Sequence, residues 1–135
     1  MSVRALAVNF CAVAVLKLAT PTAVVCHDAG AASLILGWLK ADNNLLTRVF
    51  FQGPAEVLWR SCFPCRPLCS SLEEALDGAH FLLSGTGWAS ALEHRARLMA
   101  NARGIHSVAV LDHWINYAER FERDGYVQWP DEVSV

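Results

Sequence analysis

The stretch that most constrains the fold is residues 79–114. It contains an apolar run, a glycine turn, an amphipathic segment and a second apolar run, in that order. This succession is typical of a β-strand, a crossover helix and a second strand parallel to the first. Polar residues follow both runs, at 84–87 (SGTG) and 112–113 (Asp-His). Because open α/β sheets bind ligands outside the carboxyl ends of their strands, the pattern predicts a ligand-binding edge at these residues.

The composition indicates one domain and excludes some classes of partner. A length of 135 residues accommodates one hydrophobic core, and an apolar fraction of 54% is enough to fill both faces of a buried sheet. The formal net charge is -2, without a cluster of lysine or arginine, so we expect no binding to nucleic acid. Five cysteines leave at least one unpaired in any intramolecular disulfide scheme, and we expect a reduced, cytoplasmic protein.

Residues 1–20 form an apolar extension of uncertain role. Asn9 interrupts the apolar run, and no clean cleavage site of the A-x-A type follows it. A membrane span needs about 20 apolar residues, and Lys17 ends the run before that length, so we expect no stable span. The extension is an additional helix or strand or a loosely attached segment, a signal or anchor, or a non-native upstream translation.

From residue 21 onward, predicted strands alternate with predicted helices. The strands are expected at 22–26, 48–51, 80–83 and 107–111, with a fifth beginning at 133, and the helices at 31–41, 54–60, 71–76, 87–103 and from about 114 to 125. This order predicts an α/β fold over residues 21–135. We expect a three-layer, Rossmann-like, doubly wound parallel sheet of four to five strands in the order 3-2-1-4. The first and fourth strands would then be neighbours.

The pattern of the long helix predicts which of its side chains face the sheet. Glu93 and Arg97 have the spacing of an exposed i, i+4 ion pair, and His94 is expected in solvent beside them. His80 and His106, at strand starts, are expected at the opposite edge of the sheet, away from any chemistry. The sheet-facing side is predicted to consist of Trp88, Ala91, Leu92, Leu98, Met99 and Ala102.

The glycine-rich segment 85–90 (GTGWAS) follows a strand and precedes a helix. Asp112 ends the next strand about 20 residues later, as in the dinucleotide-binding fingerprint. The segment follows the third strand rather than the first, however, and contains the bulky Trp88. Three interpretations stay open: an anion or sugar-phosphate contact through backbone N–H groups, a complete NAD site, and a tight structural turn.

Two acid–imidazole pairs follow predicted strands, at 27–28 and 112–113. A neutral imidazole can accept a proton from a substrate hydroxyl, and a carboxylate can orient it. The alternative is structural, because an aspartate after a strand also caps the next helix. A tryptophan beside them would give a sugar ring an apolar face. The candidate catalytic residues are Asp28, Asp112 and His113, and the candidate ligand-binding residues are His27, Gly30, Ser84, Gly85, Thr86, Gly87 and Trp114.

Three cysteines lie in the irregular segment 61–70 (SCFPCRPLCS). Cys62, Cys65 and Cys69 offer three thiolates, which Cys26 or His27 would have to complete for a zinc or iron–sulfur site. A second CxxC or HxxH pair is missing from the sequence. We therefore expect free cysteines, no metal and no cofactor.

The sequence resembles a family of bacterial carbohydrate proteins. The motifs are HDAG at 27–30, SGTGW at 84–88, LDHWINYAERF at 111–121 and WPDEV at 129–133. Over residues 22–135 they resemble the N-terminal Rossmann-like half of surface-polysaccharide proteins related to GT-B glycosyltransferases and UDP-N-acetylglucosamine 2-epimerases. In GT-B enzymes two Rossmann-like domains face one another, and the N-terminal one mainly holds the acceptor.

The resemblance implies a sugar-related function. We expect a GT-B-like domain that binds a glycosyl acceptor or a sugar nucleotide in surface-polysaccharide biosynthesis. Catalysis as a glycosyltransferase or a sugar-nucleotide epimerase would depend on a second Rossmann-like domain, and a homo-oligomer is the other expected assembly. The alternative is a non-catalytic Rossmann-like nucleotide-binding or interaction module.

Overall fold

The structure, a computed structural model, describes residues 6–8, 21–41, 47–87, 89–112, 119–127 and 129–134. These residues form an α/β fold. Its main sheet contains β1 (Leu6–Val8), β2 (Thr22–Cys26), β3 (Thr47–Phe51), β4 (Phe81–Ser84), β5 (His106–Val110) and β8 (Glu132–Ser134), and a separate hairpin contains β6 (Glu122–Arg123) and β7 (Tyr126–Val127). The helices are α1 (Ala29–Ala41), α2 (Gly53–Cys62), α3 (Leu72–Leu76) and α4 (Leu92–Ala102), with a 3₁₀ turn at Glu119–Phe121.

The strand order of the main sheet is β1-β8-β5-β4-β2-β3, and every pairing in it is parallel. The predicted class, a Rossmann-like α/β fold with a parallel sheet, is confirmed. The predicted order 3-2-1-4 is wrong, because counting from β2 as the first strand gives 2-1-3-4-5. β4 therefore separates β2 from β5, and the first and fourth predicted strands are not neighbours.

The order differs because the chain changes face between β3 and β4. α2 packs with α1 on one face of the sheet, whereas the next helix, α3, packs on the other face. The chain makes this passage around the β3 edge in the irregular residues that follow α2. There the backbone N–H of Cys69 donates to the carbonyl of Val49 at 2.8 Å, which provides a hydrogen-bond partner for one carbonyl of the edge strand β3. The proline- and cysteine-containing segment thus carries the chain from one face to the other.

Both faces of the sheet are buried. Alternate residues of β2 show this directly, since Val24 faces α1 and α2, while Ala23 and Val25 face α3 and α4. Strands that are buried on both faces are expected to be apolar throughout, as residues 23–26 (AVVC) and 49–51 (VFF) are. Burial of each large apolar side chain contributes roughly 1.5–3 kcal/mol. The strand positions are accordingly the best-predicted part of the chain.

Local capping signals set two of the helix starts. Pro54 lies in the first turn of α2, where its missing N–H costs nothing. Ser71 caps α3, and its hydroxyl accepts a hydrogen bond from the N–H of Glu74 at 3.1 Å. The Glu74 carboxylate accepts hydrogen bonds from the hydroxyl and the N–H of Ser70 and not from the cap residue. These two hydrogen bonds lower the pKa of Glu74.

The long helix begins later than predicted. α4 starts at Leu92, so residues 87 and 89–91, which were predicted to be helical, lie in the loop before it. The face prediction is right for Leu92 and Met99, which pack on the core, and wrong for Ala91, Leu98 and Ala102, which are exposed. The other buried residues of the helix are Glu93, His94, Ala96, Arg97 and Ala100. The polar residues at 93 and 97 are inside because they bond to the loops at the carboxyl edge of the sheet.

The final predicted helix is wrong where the structure describes it. A 3₁₀ turn is followed by the β6–β7 hairpin, whose connection is Asp124-Gly125. Both residues have positive φ, 51° and 80°, as a two-residue type I′ turn requires. The Asp-Gly pair is the local sequence signal that the helical interpretation overlooked. Residues 113–118 of the predicted helix lie outside the described residues.

Part of the N-terminal extension belongs to the sheet. β1 pairs in parallel with β8, with Leu6 opposite Glu132 and Val8 opposite Ser134. The other positions of the extension, 1–5 and 9–20, lie outside the described residues. Among the helices that are described, none combines the length and the apolar character needed to cross a bilayer.

The capping arrangement of α3 leads to a stability prediction. Ser71→Ala removes the oxygen that accepts the Glu74 N–H, and we expect a loss of about 1 kcal/mol in the free energy of unfolding. Urea denaturation followed by circular dichroism measures it. Ser33→Ala, at an exposed position within α1, is the matched control and should change this free energy by less than about 0.5 kcal/mol. Equal losses in the two variants would contradict a capping role.

Candidate functional site at the switch point

The ligand edge of this fold lies between the carboxyl ends of β2 and β4. These strands are hydrogen-bonded neighbours, yet the helices that follow them, α1 and α4, pack on opposite faces of the sheet. In a doubly wound sheet this divergence opens a crevice at the topological switch point. The predicted switch point between β2 and β5 is therefore displaced by one strand. We call the residues at this position, 27–30, 85–87, 93 and 112, the switch-point edge.

Glu93 joins the two loops of the switch-point edge. Its side chain is 1% exposed and lies in the first turn of α4. One carboxylate oxygen accepts the backbone N–H of His27 at 3.2 Å, and the other accepts the N–H of Gly87 at 3.0 Å. Hydrogen bonds to a carboxylate are stronger than those between neutral groups, and they offset the cost of burying it. An internal side chain thus fastens the loop after β2 to the loop after β4.

This arrangement favours the tight structural turn among the interpretations of the glycine-rich segment. A phosphate-binding loop presents backbone N–H groups to an external anion at a helix N-terminus. Here the N–H of Gly87 is taken by the protein's own carboxylate, and α4 begins only at Leu92. The segment therefore acts as a tight turn that surrounds an internal anion. The segment departs from the dinucleotide-binding fingerprint in two ways. The structure describes the first, which is its position after the third predicted strand, whereas Trp88 lies outside the described residues.

Two glycines bring aspartates into the switch-point edge. A Cβ atom added at Gly87 would lie 2.7 Å from the Cβ of Asp28, and one added at Gly30 would overlap the carboxylate of Asp112. Neither glycine can therefore be replaced without displacing a carboxylate. Although β4 separates β2 from β5, Asp112 still lies against the first turn of α1, because the chain beyond β5 reaches Gly30.

Asp28 has a structural task as well as a candidate functional one. Its Oδ2 accepts the backbone N–H of Ala31 at 2.9 Å, so it caps α1. Its side chain is half-buried, and the neighbouring His27 is half-buried with its imidazole against the backbone of Gly53. Gly53 has a φ of +57°, and a side chain there would overlap that ring. Asp28 thus has the helix-capping role that was the structural alternative to a catalytic one.

Asp112 is held by a buried arginine. Its Oδ1 lies 3.0 Å from a guanidinium nitrogen of Arg120, and the two side chains are 26% and 4% exposed, respectively. The same nitrogen donates to the hydroxyl of Thr86 at 3.3 Å, and that hydroxyl donates to the carbonyl of Val110 at 2.9 Å. The Asp112 carboxylate is therefore fixed in orientation while part of it stays accessible.

Arg97, on α4, hydrogen-bonds to the loop after β4 at the switch-point edge. It was predicted on the solvent side with Glu93, but both are buried, and Arg97 donates to the carbonyl of Gly85 at 3.0 Å. It also donates to the Ser84 hydroxyl at 3.4 Å, and its guanidinium lies 5.0 Å from the centre of the Phe121 ring. The i, i+4 spacing of Glu93 and Arg97 is the same for an exposed pair and for a buried one. No sequence signal distinguished them.

The structure brings together some of the candidate site residues. Asp28 lies against Gly87, and Asp112 lies against Gly30, with His27 next to Asp28 in the chain. Ser84 and Thr86 are fully buried, and their hydroxyls are engaged within the protein. His113 and Trp114 lie outside the described residues. Arg120 and Glu93, which hold the carboxylate and the loops, are the residues that sequence reasoning missed.

Comparison with known proteins adds no assignment. No family model, no curated protein and no solved structure matches this chain. The resemblance to GT-B proteins accordingly stays a prediction.

The cysteines do not add a metal centre to the described part of the chain. Cys62 and Cys69 are half-buried and Cys65 is exposed, and all three are free thiols. Within the described ranges, no group of three His, Cys, Asp or Glu side chains is arranged to hold a metal ion. Cys26 is different, because it is buried at the switch point and its thiol donates to the carbonyl of Asp28 at 3.2 Å. Burial first, and then the charges of Glu93 and Asp28, raise its pKa well above the ordinary range.

The bridging role of Glu93 is testable by an isosteric change. Glu93→Gln leaves one carbonyl oxygen for two backbone N–H groups, so one of them faces an amide donor. We expect a loss of about 1–3 kcal/mol in the free energy of unfolding. The matched control is Glu56→Gln, which removes only an exposed i, i+4 pair with Arg60 on α2. Its loss should stay below about 0.5 kcal/mol. Indistinguishable losses in urea denaturation would contradict the bridge.

The raised pKa of Cys26 predicts low thiol reactivity and a pH dependence. In native protein, iodoacetamide should modify the exposed Cys65 well before Cys26, as mass spectrometry of peptides would show. Because the folded-state pKa lies above the unfolded value of about 8.5, this thiol's contribution to stability is complete below that pH and is lost as the pH rises. The free energy of unfolding should therefore fall above about pH 8.5, and less steeply in Cys26→Ala. Early alkylation of Cys26, or equal slopes, would contradict this account.

Proposed function

We propose that this chain is a GT-B-like domain whose switch-point edge binds an uncharged glycosyl acceptor. The observation that carries the proposal is the presence of two partly accessible carboxylates, Asp28 against Gly87 and Asp112 against Gly30, at the crevice where doubly wound sheets bind ligands. Carboxylate oxygens accept hydrogen bonds from sugar hydroxyls. The sequence motifs at 27–30, 84–88 and 111–121 add the resemblance to polysaccharide proteins.

The edge favours an acceptor over a sugar nucleotide. The diphosphate of a nucleoside diphosphate sugar needs backbone N–H groups or cations to compensate its negative charge. The N–H groups of His27 and Gly87 are occupied by Glu93, and Arg120 is buried against Asp112. The accessible charge at the edge is therefore negative, which disfavours a second anion. A polyhydroxyl ligand without phosphate fits both the charge and the donors and acceptors of this edge.

The two aspartates are proposed to have different tasks. Asp112 is oriented by Arg120, so it suits the binding of a hydroxyl in a fixed direction. Asp28 uses Oδ2 to cap α1, which leaves its other oxygen for the acceptor hydroxyl. In glycosyl transfer the acceptor oxygen forms a bond to the anomeric carbon while the bond from that carbon to the phosphate of the donor breaks. Asp28 would take the proton of the acceptor hydroxyl, with His113 as the second candidate, and a second Rossmann-like domain would hold the donor.

Saturation-transfer NMR tests this proposal. We expect the chain to give saturation-transfer signals with uncharged methyl glycosides or oligosaccharides at millimolar concentration, and weaker signals or none with UDP-N-acetylglucosamine. Asp28→Asn should abolish the signals with little change in stability, because asparagine caps a helix about as well as aspartate. Asp77→Asn, an exposed aspartate after α3, is the control and should bind like the parent chain.

Two results would contradict the proposal. One is the absence of binding by every uncharged sugar while circular dichroism shows the fold intact, which would favour the non-catalytic interaction module. The other is stronger binding of the UDP-sugar than of the glycosides, which would show that the edge accepts phosphate despite Glu93. A loss of binding in Asp77→Asn equal to that in Asp28→Asn would show that the effect is one of overall charge.

A further inference from the structure

A second concave surface lies on the side of α4 that faces away from the switch-point edge. Its cavity has a volume of about 530 Å³ and is lined by His94, Arg95 and Leu98 of α4 and by Asp124, Tyr126 and Val127 of the hairpin. The α4 residues recur at the spacing of one helix face, whereas Glu93 and Arg97 bond to the loops at the switch point. The cavity is therefore separate from the proposed acceptor site, and its volume is within the roughly 300–1,000 Å³ typical of small-molecule sites.

The exposed apolar side chains of the described residues concentrate at this cavity. Leu98, Tyr126 and Val127 are 45%, 76% and 44% exposed, and all three line it. The other two large apolar side chains that are exposed, Leu34 and Val57, lie on α1 and α2 on the opposite face of the sheet. Single apolar residues on a surface are ordinary, but a contiguous group around a concavity indicates binding.

The walls of the cavity are built on ordered elements. The Asp124-Gly125 turn fixes the hairpin, and the hairpin follows Phe121, which is fully buried. The Phe121 ring packs against Trp129 at 5.3 Å between centroids and against the guanidinium of Arg97. Because Arg97 belongs to α4, this contact joins the two walls behind the cavity. Walls that are joined by packed side chains lose less freedom when a ligand binds.

We infer that this cavity binds a small, uncharged molecule with a flat, largely apolar ring. Tyr126 offers an aromatic ring, and Leu98 and Val127 supply apolar contact in the same cavity. Arg95 and Asp124 bring one charge of each sign, so the lining selects neither an anion nor a cation. This inference is independent of the acceptor site at the switch point.

The test uses the full chain and N-phenyl-1-naphthylamine, an uncharged aromatic probe whose fluorescence rises in apolar surroundings. We expect saturable binding at one site per chain. Leu98→Ser should weaken the probe's Kd about tenfold, which corresponds to about 1.4 kcal/mol. Tyr126→Ser is a second variant at an exposed position and should weaken it in the same direction. The matched control is Val57→Ser, 69% exposed on α2, which should leave the Kd unchanged.

The outcomes separate the inference from non-specific binding. Saturation at one site with selective loss in Leu98→Ser and Tyr126→Ser, in variants that keep the parent circular dichroism spectrum, would support it. A fluorescence rise that does not saturate, or an equal loss in Val57→Ser, would show general adsorption and overturn it. The absence of any rise up to the solubility limit of the probe would overturn it as well. Because Asp28→Asn should bind the probe like the parent chain, failure of this site and failure of the acceptor site are distinguishable.

Discussion

The bidentate hydrogen bonding of the Glu93 carboxylate is the interaction on which the carboxyl edge of the sheet depends. Two parallel strands end side by side, and their loops leave toward opposite faces. Without a shared partner, the backbone N–H groups of those loops would lie unsatisfied next to the core, at a cost of about 1–3 kcal/mol each. The Glu93 carboxylate, in the first turn of α4, accepts a hydrogen bond from one N–H group of each loop. The close approach that this allows is also what requires glycine at 85 and 87.

Around this carboxylate the chain places a small layer of buried charge. Arg97 bonds to the loop after β4, and Arg120 bonds to Asp112, so three charged side chains are inside a domain of this size. Buried ion pairs are a weak source of stability, because desolvation consumes much of their attraction. Their value here is geometric. Each fixes a backbone or carboxylate oxygen whose direction apolar packing would leave undetermined, and that precision is what a binding edge requires.

The sequence predicted the elements of this fold better than their arrangement. β2, α1, β3, α2, α3 and β4 lie within two residues of the expected positions, because β-branched runs, Pro54 and the Ser71 cap are local signals. The strand order depends on where the chain crosses from face to face, and the crossing in the irregular residues after α2 has no periodicity from which to derive it. The burial of Glu93 and Arg97 likewise depends on their hydrogen bonds to the loops after β2 and β4, which the periodicity of the helix does not indicate. The candidate residues at 27–30 and 112 are nonetheless in contact, because the carboxyl ends of parallel strands share one edge whatever their order.

The position of β8 constrains the order in which this sheet is completed during synthesis. β8 lies between β5 and β1, so among the described strands β1 hydrogen-bonds only to β8. Leu6–Val8 therefore emerges from the ribosome long before its partner exists, and β5 keeps an open edge until residues 132–134 arrive. Closing so long a loop is slow, and an unpaired apolar edge favours intermolecular association in the meantime. The nascent chain is thus most exposed to aggregation in the interval between the completion of β5 and the addition of β8.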